Sequence, residues 1–376
     1  MFLRIFDRYI GRQIYSGTMN GFIVLSAVFV LGTIFKKLDT ILGDTELPPM
    51  LVVRFVGLVI PSTLVFTIPW AFLTAILLSF GRMSADNEMV SIRMSGTSMP
   101  RICLPVFLIA LLLSGLCFWV NTEVTPDAKN KIKNLFYDVT LDNPASLFQP
   151  GKVLEKFPGF RIYTGKREGN EMKDLIIIEL EGSRSKRVIR AKRATLVSTP
   201  GVLDFVLELK DAVIEVPQSS PGGGVENVDF IRFKETQITF PLSRLREKTQ
   251  RVKADMKSTP ALWGELRTGN NSVTGTGMEP REASISMTEL SKRYSLSFVC
   301  ITFVLVGIPL GITAQRRETS VGFLMSLAAA VAYYGFVILA EQMSDNPAAS
   351  PHILMWAPNV VFMSLGGWLF YKLSRK

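Results

Sequence analysis

The chain has 376 residues, of which 48% are hydrophobic, and a formal net charge of +10. Its hydrophobic residues are concentrated in six runs of about 18 to 27 residues without a charged side chain, the length that a bilayer core requires. A soluble globular protein is therefore excluded, and the fold class is predicted to be an α-helical membrane protein with six transmembrane helices. The runs are Gln13–Phe35, Phe55–Gly81, Ile102–Val120, Tyr294–Ala314, Ser320–Ala340 and Ile353–Phe370.

The first run is predicted to be a membrane span and not a signal peptide. It is longer than the apolar region of a signal peptide, and no small-residue cleavage site follows it. With six spans, the positive-inside rule predicts that both termini are cytoplasmic and that residues 121–293 lie outside. The loop Glu341–His352 contains no Lys or Arg. The predicted cytoplasmic cations are Arg4, Arg8, Arg12, Arg82, Arg93, Arg101, Arg316, Arg317, Lys372, Arg375 and Lys376.

Lys36, Lys37 and Arg54 lie at the predicted outer boundary, between the first and second runs. Such cations can anchor a helix by extending their charged ends to the membrane surface. They can also bind the phosphates of an anionic lipid head group through charge-assisted hydrogen bonds. We therefore consider these three residues candidate substrate-binding residues, with simple anchoring as the alternative.

A short polar segment, residues 84–96, separates the second and third runs and has the pattern of a capped helix. Ser84 is a suitable N-cap, and Gly96 can supply the left-handed residue that commonly ends a helix. Met89 and Ile92 recur at helical spacing and predict one apolar face. The segment is predicted to be a cytoplasmic coupling helix that meets a partner, with a solvated connecting loop as the alternative. Its candidate contact residues are Asp86, Glu88 and Arg93.

The middle of the chain changes in texture. Residues 121–147 predict a helical extension of the third run, and an all-β domain is predicted over about residues 148–257. Short alternating segments with turn signals between them are typical of a sandwich or barrel. The domain boundaries follow as 1–120 for the first three spans, 121–293 for the outer region and 294–376 for the last three spans. The predicted strands are Leu175–Leu180, Val188–Ala191, Ala194–Ser198, Val202–Leu209, Asp211–Val216, Asn227–Phe233 and Gln237–Phe240.

Residues that would support catalysis or metal binding are scarce. The sequence has no phosphate-binding GxxxxGK[ST] motif and no HExxH motif. Its six apolar runs contain no Asp, Glu, Lys or Arg, which ion-driven transporters usually need within the membrane. We therefore predict no metal site, no cofactor in this chain and no enzymatic activity, and expect a partner ATPase to supply energy for any transport. The only histidine is His352, and the three cysteines, Cys103, Cys117 and Cys300, all fall in apolar runs.

Three motifs carry a resemblance to a known family. The strongest is Gly307–Phe323, GIPLGITAQRRETSVGF, and the second is Trp356-Ala357-Pro358-Asn359. The third is Gly81–Gly96, whose centre is Asp86-Asn87-Glu88. With these motifs the chain resembles the YjgP/YjgQ family, the LptF/LptG permease subunits of the lipopolysaccharide exporter. The resemblance covers both groups of three spans, whereas the β region matches in layout and in Phe148-Gln149-Pro150-Gly151.

The resemblance implies a permease subunit of an ABC transporter that extracts lipopolysaccharide from the bacterial inner membrane. It implies a paralogous six-span permease facing this one, a cytoplasmic ATPase dimer that binds ATP, and a periplasmic β-jellyroll partner that receives the lipid. The inserted domain would itself be β-jellyroll-like, and no nucleic acid is expected among the partners. By position, Glu88 would be the acidic residue that reaches the ATPase, and Lys36 and Lys37 would face the phosphates of the lipid.

Some features leave the assignment open in detail. Asn87-Glu88 and Phe148–Gly151 favour the F-type subunit, whereas the insert Ser219–Gly224, SSPGGG, departs from the family pattern and would alter the jellyroll edge. One alternative is a permease for another anionic lipid or lipoprotein, powered by a separate ATPase. The other is a non-transporting membrane scaffold or sensor that uses the β domain for binding.

Overall fold

Contacts within the chain divide it into a helical unit and a β unit. The helical unit comprises Met1–Phe35, Met50–Lys133 and Lys253–Lys376, and the β unit comprises Lys36–Pro49 and Asn134–Val252. A computed structural model describes residues 5–42, 49–142, 148, 150–154, 159–181, 184–198, 204–219, 225–241, 252–271, 275, 277–314 and 319–374.

Long apolar helices form most of the helical unit. A π-helical turn, Val120–Val124, continues α4 directly into α5, so the predicted extension of the third run is confirmed as far as Asp142. The helices are α1 (Ile5–Leu42), α2 (Pro49–Ala85), α3 (Glu88–Met94), α4 (Met99–Trp119), α5 (Thr125–Asp142), α6 (Thr259–Thr268), α7 (Pro280–Ser297), α8 (Val299–Ala314), α9 (Thr319–Gln342), α10 (Pro351–Leu354) and α11 (Ala357–Ser374).

Five segments among the described residues are long and apolar enough to cross a membrane. Helices α7 and α8 pass the same test together but are bent by 44°, and counting them as one broken span gives six. The predicted fourth span, Tyr294–Ala314, is therefore not one straight helix. The apolar helices confirm the class of membrane protein, whereas the number of six spans stays a prediction. The five segments are Ile5–Phe35, Met50–Ala85, Met99–Leu135, Val321–Gln342 and Pro351–Leu373.

The break between α7 and α8 has a visible cause at Ser297. The Ser114 hydroxyl of α4 donates a hydrogen bond to the Ser297 carbonyl oxygen, and the Ser297 hydroxyl donates to the Arg293 carbonyl oxygen at 2.7 Å. Side chains that insert into the ladder of backbone hydrogen bonds are a recognised source of helix kinks. The apolar composition of the run gave no sign of this, since hydropathy does not register a competing hydroxyl on another helix.

Close helix contacts in this unit depend on glycine. A Cβ atom at Gly307 would lie 3.0 Å from the side chains of Ile76 and Leu73, and one at Gly311 would lie 3.0 Å from Phe80 Cβ. These two glycines are four residues apart on α8, so they form one small-residue face against α2. Small residues let helix backbones approach closely in a membrane, where dispersion contacts replace the hydrophobic effect as the driving force.

The described strands of the β unit form one six-stranded antiparallel sheet in the order β1-β2-β3-β4-β5-β6. The sheet confirms an inserted β domain, while the jellyroll or sandwich stays a prediction. Four strands are longer than predicted: β3 extends beyond Leu175–Leu180, and β4, β5 and β6 each join two segments that were predicted as separate strands. The strands are β1 (Val153–Leu154), β2 (Phe160–Glu168), β3 (Glu171–Glu181), β4 (Arg184–Ser198), β5 (Asp204–Ser219) and β6 (Val225–Pro241).

The predicted breaks within these strands coincide with one line across the sheet. At this line the side-chain alternation slips by one residue, so that consecutive buried positions are three residues apart and not two. These positions are Met172 and Leu175 in β3 and Leu209 and Ala212 in β5. The strands nevertheless keep their pairing register on either side. We call this the kink line, and its residues are Gly165, Asp174, Lys192, Asp211 and Lys234.

Backbone geometry explains the slip. Asp174 and Asp211 have positive φ angles of 55° and 54°, a region that aspartate tolerates better than most residues. A Cβ atom at Gly165 would lie 2.9 Å from Asp174 Cβ, so this neighbour has to be glycine. In β4, β5 and β6 the slip has the sequence pattern of a break between two strands, although each strand passes through it.

Candidate functional site

The predicted coupling helix is shorter than the sequence indicated. Ser84 is not its N-cap, because α2 continues through Ser84 to Ala85 and the Ser84 hydroxyl donates to the Ile312 carbonyl oxygen at 2.8 Å. A two-residue turn then leads into α3, with Asn87 in the left-handed conformation at φ 58°. The described helix is therefore Glu88–Met94 in place of residues 84–96. Asn87 takes the N-terminal position without a side-chain capping bond.

The apolar face of this segment is present as predicted. Met89 and Ile92 are 4% and 6% exposed, and they belong to the same buried cluster as Ile10 and Met83. Gly96 has φ +80° and its N–H donates to the Arg93 carbonyl oxygen at 2.9 Å, so it ends the segment in the expected conformation. The segment is consequently a fixed part of the helical unit, attached through its underside.

The three candidate coupling residues differ in their availability. Asp86 and Arg93 are exposed. Glu88 is half-buried, and its carboxylate accepts a hydrogen bond from the Tyr9 hydroxyl of α1, with Tyr9 Oη 3.2 Å from Glu88 Oε2. Glu88 is thus bonded to α1. The sequence did not reveal this contact because Tyr9 and Glu88 are 79 positions apart.

A second contact joins α1 to the start of α4. Arg101 Nη2 lies 2.6 Å from Asp7 Oδ2, and the Asp7 side chain is only 7% exposed. In the sequence analysis Arg101 counted only toward membrane orientation, so this ion pair was missed. A cavity of about 430 Å³ lies beside it, and its lining residues are Ile5, Phe6, Asp7, Ile10, Ile92, Ser95, Thr97, Arg101 and Ile102.

The candidate substrate-binding cations are described only in part. Lys36 and Lys37 fall within α1, and their side chains lie outside the described residues. Arg54 lies near the start of α2 and is exposed. On α5, Lys131 is paired with Asp127 at 2.7 Å and Lys129 with Asp255 at 3.2 Å.

Buried polar residues connect the helices within the apolar part of the unit. Asn359, at the start of α11, is 2% exposed and makes hydrogen bonds to Ser295, Thr302 and Tyr333. These partners lie on α7, α8 and α9. Among the described residues, no three His, Cys, Asp or Glu side chains are grouped as metal ligands would be.

At the predicted outer side, Arg281 donates a hydrogen bond to Asp345 with Nη2 2.8 Å from Oδ2. This hydrogen bond lowers the pKa of the Asp345 carboxyl below its ordinary value. Both side chains are more than half exposed, so the pair contributes little to stability.

Comparisons with known proteins cover almost the whole chain. Residues 8–372 match the family described as lipopolysaccharide export system permease LptF/LptG. The chain is 22% identical over 353 residues to the lipopolysaccharide export system permease protein LptF of Escherichia coli K12, with 91% of this chain and 89% of that protein covered. The chain is similar to the same extent to the LptF protein of Shigella flexneri. The assignment of this chain to the F type stays a prediction. The resemblance predicted from the three motifs is confirmed, and the chain belongs to the LptF/LptG family of lipopolysaccharide export system permeases.

Proposed function

We propose that the chain is a permease subunit of an ABC transporter that extracts lipopolysaccharide from the inner membrane. The observation that carries this proposal is the family match over residues 8–372, which spans both sets of apolar helices and the β unit. In the proposal, a paralogous permease completes the substrate path and a separate cytoplasmic ATPase dimer supplies the energy. The β unit lies in the periplasm and passes the lipid to a β-jellyroll partner.

Two features of the chain support this division of labour. The apolar runs contain no Asp, Glu, Lys or Arg that could couple transport to an ion gradient. The α3 segment carries exposed charges on a firmly attached base, which suits an element that transmits force from a soluble ATPase. Both termini and α3 are therefore proposed to be cytoplasmic.

The bound lipid tests the substrate directly. Purification of the complex from cells, followed by mass spectrometry of its lipids, is expected to recover lipopolysaccharide in excess over bulk phospholipid. Combined Lys36→Glu, Lys37→Glu and Arg54→Glu substitutions are expected to reduce this recovery about tenfold or more, because they place like charges near the lipid phosphates. Recovery of only bulk phospholipid from the unmodified complex would contradict the proposal. If the variant is degraded but the complex that remains yields as much lipopolysaccharide as before, the three cations anchor their helices at the membrane surface and do not bind the lipid.

Glu88 tests the coupling site. In a Glu88→Ala variant the free energy of binding to the ATPase is expected to weaken by about 2–5 kcal/mol, because a charged group of the ATPase would be left unpaired at the interface. Co-purification of the ATPase and ATP-dependent lipid release measure this loss.

Tyr9→Phe is the matched control for this experiment. It removes the hydroxyl that bonds to Glu88 but leaves the carboxylate available. We expect near-normal ATPase recovery in Tyr9→Phe. Equal losses in both variants would assign Glu88 to an internal contact with α1 and not to the ATPase.

The sheet edge tests the hand-over to a partner. Ala194–Ser198 lies inside β4, which is paired on both sides and so offers no free edge to a partner. The contact is therefore expected on β6. In the sheet order β6 stands at one end, and Phe230, Ile231 and Phe233 on it are exposed. Unpaired strand edges can add the strand of another protein, and an apolar edge favours this.

Photocrosslinkers at Phe230 and Phe233 are therefore expected to capture a periplasmic β partner, whereas one at Thr195 in β4 should not. A crosslinker at the buried Leu207 is expected to capture lipid only while the ATPase is active. Equal capture at Thr195 and Phe230, or lipid capture without ATP, would count against the hand-over role.

A further inference from the structure

Arg293 on α7 is a buried cation that donates four hydrogen bonds. Its side chain is 4% exposed, and Nε donates to Glu289 Oε1 at 3.1 Å. The two terminal nitrogens donate to Thr259 Oγ1 at 2.9 Å, to the Ala254 carbonyl oxygen at 3.2 Å and to the Lys257 carbonyl oxygen at 2.9 Å. Three of the four contacts therefore go to residues 254–259, which we call the return segment because the chain reaches it after the last strand of the β unit.

The return segment is also attached to the third span. Thr259 Oγ1 donates to the Thr122 carbonyl oxygen at 2.9 Å, within the π-helical turn between α4 and α5. Lys129 Nζ lies 3.2 Å from Asp255 Oδ2. A π-helical turn is rare and frequently marks a functional position in a helix. Arg293 thus joins the return segment to α7, and Thr259 and Asp255 join it to the π-helical turn and to α5.

The same residues lie next to the break in the fourth span. Ser297 bonds back to the Arg293 carbonyl oxygen, and Asn121 of the π-helical turn donates to the Ser297 hydroxyl at 3.2 Å. Below the break, α8 carries the glycine face that contacts α2. Movement of the spans therefore has a bonded route to the return segment, through α7 and the π-helical turn.

We propose that Arg293 is a positioning residue that clasps the return segment to the third and fourth spans and that this clasp stays closed throughout transport. The burial of Arg293 favours a clasp that stays closed. Opening it would leave a guanidinium and several carbonyl groups without hydrogen-bond partners in a place that water does not reach. Arg293 is also unlike the candidate lipid-binding cations Lys36, Lys37 and Arg54, because its donor groups are already bonded to oxygen atoms of the protein. The role in transport rests on the proposed function, whereas the clasp itself does not.

Protease accessibility tests the clasp without any transport. Lys257, whose side chain is 10% exposed, is expected to resist trypsin in the purified unmodified complex. Arg293→Gln should raise cleavage after Lys257 by about tenfold or more, and Arg293→Lys, which keeps the charge but loses the fork of donors, should give an intermediate value. Lys292→Gln is the matched control, because the adjacent Lys292 pairs with Glu341 and Glu289 and, among the described residues, acts on the return segment only through the charge of Asp255, with no hydrogen bond to it. Equal cleavage in Lys292→Gln and Arg293→Gln, or no increase in Arg293→Gln, would overturn the clasp.

A covalent replacement then tests the role in transport. Lys129→Cys and Asp255→Cys place two thiols where the ion pair stood, and a short thiol-reactive crosslinker can join them. In the Arg293→Gln background, this link is expected to restore ATP-dependent lipid release and trypsin resistance together, whereas the unlinked double cysteine variant should restore neither. In the otherwise unmodified background the link should leave lipid release unchanged.

The outcomes distinguish three cases. Restored trypsin resistance without restored lipid release, in a complex whose unmodified form does release lipid, would overturn the role of the clasp in transport. Loss of release on linking the otherwise unmodified background would overturn a clasp that stays closed. If the unmodified complex releases no lipopolysaccharide at all, the proposed function fails, and the protease result still decides whether Arg293 forms the clasp.

Discussion

An Asn359→Leu variant is expected to lose about 2–4 kcal/mol of unfolding free energy, because one buried side chain joins α11 to three other helices. Asn359 Oδ1 accepts hydrogen bonds from Thr302 Oγ1 and the Tyr333 hydroxyl, each at 2.9 Å. Its Nδ2 donates to the Ser295 carbonyl oxygen at 3.0 Å and to the Ser295 hydroxyl at 2.8 Å. Leucine has similar volume but satisfies none of these groups, so three partners lose a bond in a place that water does not reach.

Thermal unfolding of the detergent-solubilised complex measures the loss. Tyr333→Phe is the control, since it removes one of the four hydrogen bonds and keeps the aromatic contacts with Phe303 and Phe362. We expect Tyr333→Phe to cost about 0.6–1.5 kcal/mol, within the range of one hydrogen bond between membrane helices. A loss in Asn359→Leu no larger than in Tyr333→Phe would mean that the asparagine is not the centre of the network.

The sequence predicted the helical unit well where a single helix determines the signal. Apolar runs identify membrane helices because the lipid around a helix determines the composition of that same helix, so no knowledge of its neighbours is needed. The motif Trp356-Ala357-Pro358-Asn359 could be matched to a family, but the role of Asn359 could not be derived from it. Its partners are between 26 and 64 positions away in the chain, and only the packed bundle brings them together.

The errors in the β unit and in the coupling segment share a physical cause. A strand and a turn are distinguished in sequence by whether the alternation of apolar residues continues, and the kink line interrupts alternation without interrupting the strand. The register at Asp174 and Asp211 depends on neighbouring strands that hold the backbone at positive φ. Similarly, Ser84 has good capping chemistry, yet an acceptor on α8, the Ile312 carbonyl oxygen, lies within reach of its hydroxyl.

A Gly366→Val variant is expected to destabilise the helical unit by about 1–3 kcal/mol or more, because α11 has no room for a side chain at this position. A Cβ atom on Gly366 would lie 2.6 Å from the carbonyl carbon of Leu305 and 2.7 Å from its carbonyl oxygen. These are backbone atoms of α8, so a rotamer change cannot remove the overlap and the two helices have to separate. Separation would also strain the neighbouring contacts of α8 with α2, where Gly311 approaches Phe80.

The adjacent Gly367 provides a control with the same residue type in the same helix. A Cβ atom at Gly367 would meet nothing within 4 Å. Gly367→Val is therefore expected to change stability by less than about 1 kcal/mol, because valine has a better helix propensity than glycine and encounters no neighbour. Thermal unfolding and the yield of monodisperse complex should both fall in Gly366→Val and remain near normal in Gly367→Val. Equal behaviour of the two variants would show that the contact between α11 and α8 is not close enough to require glycine.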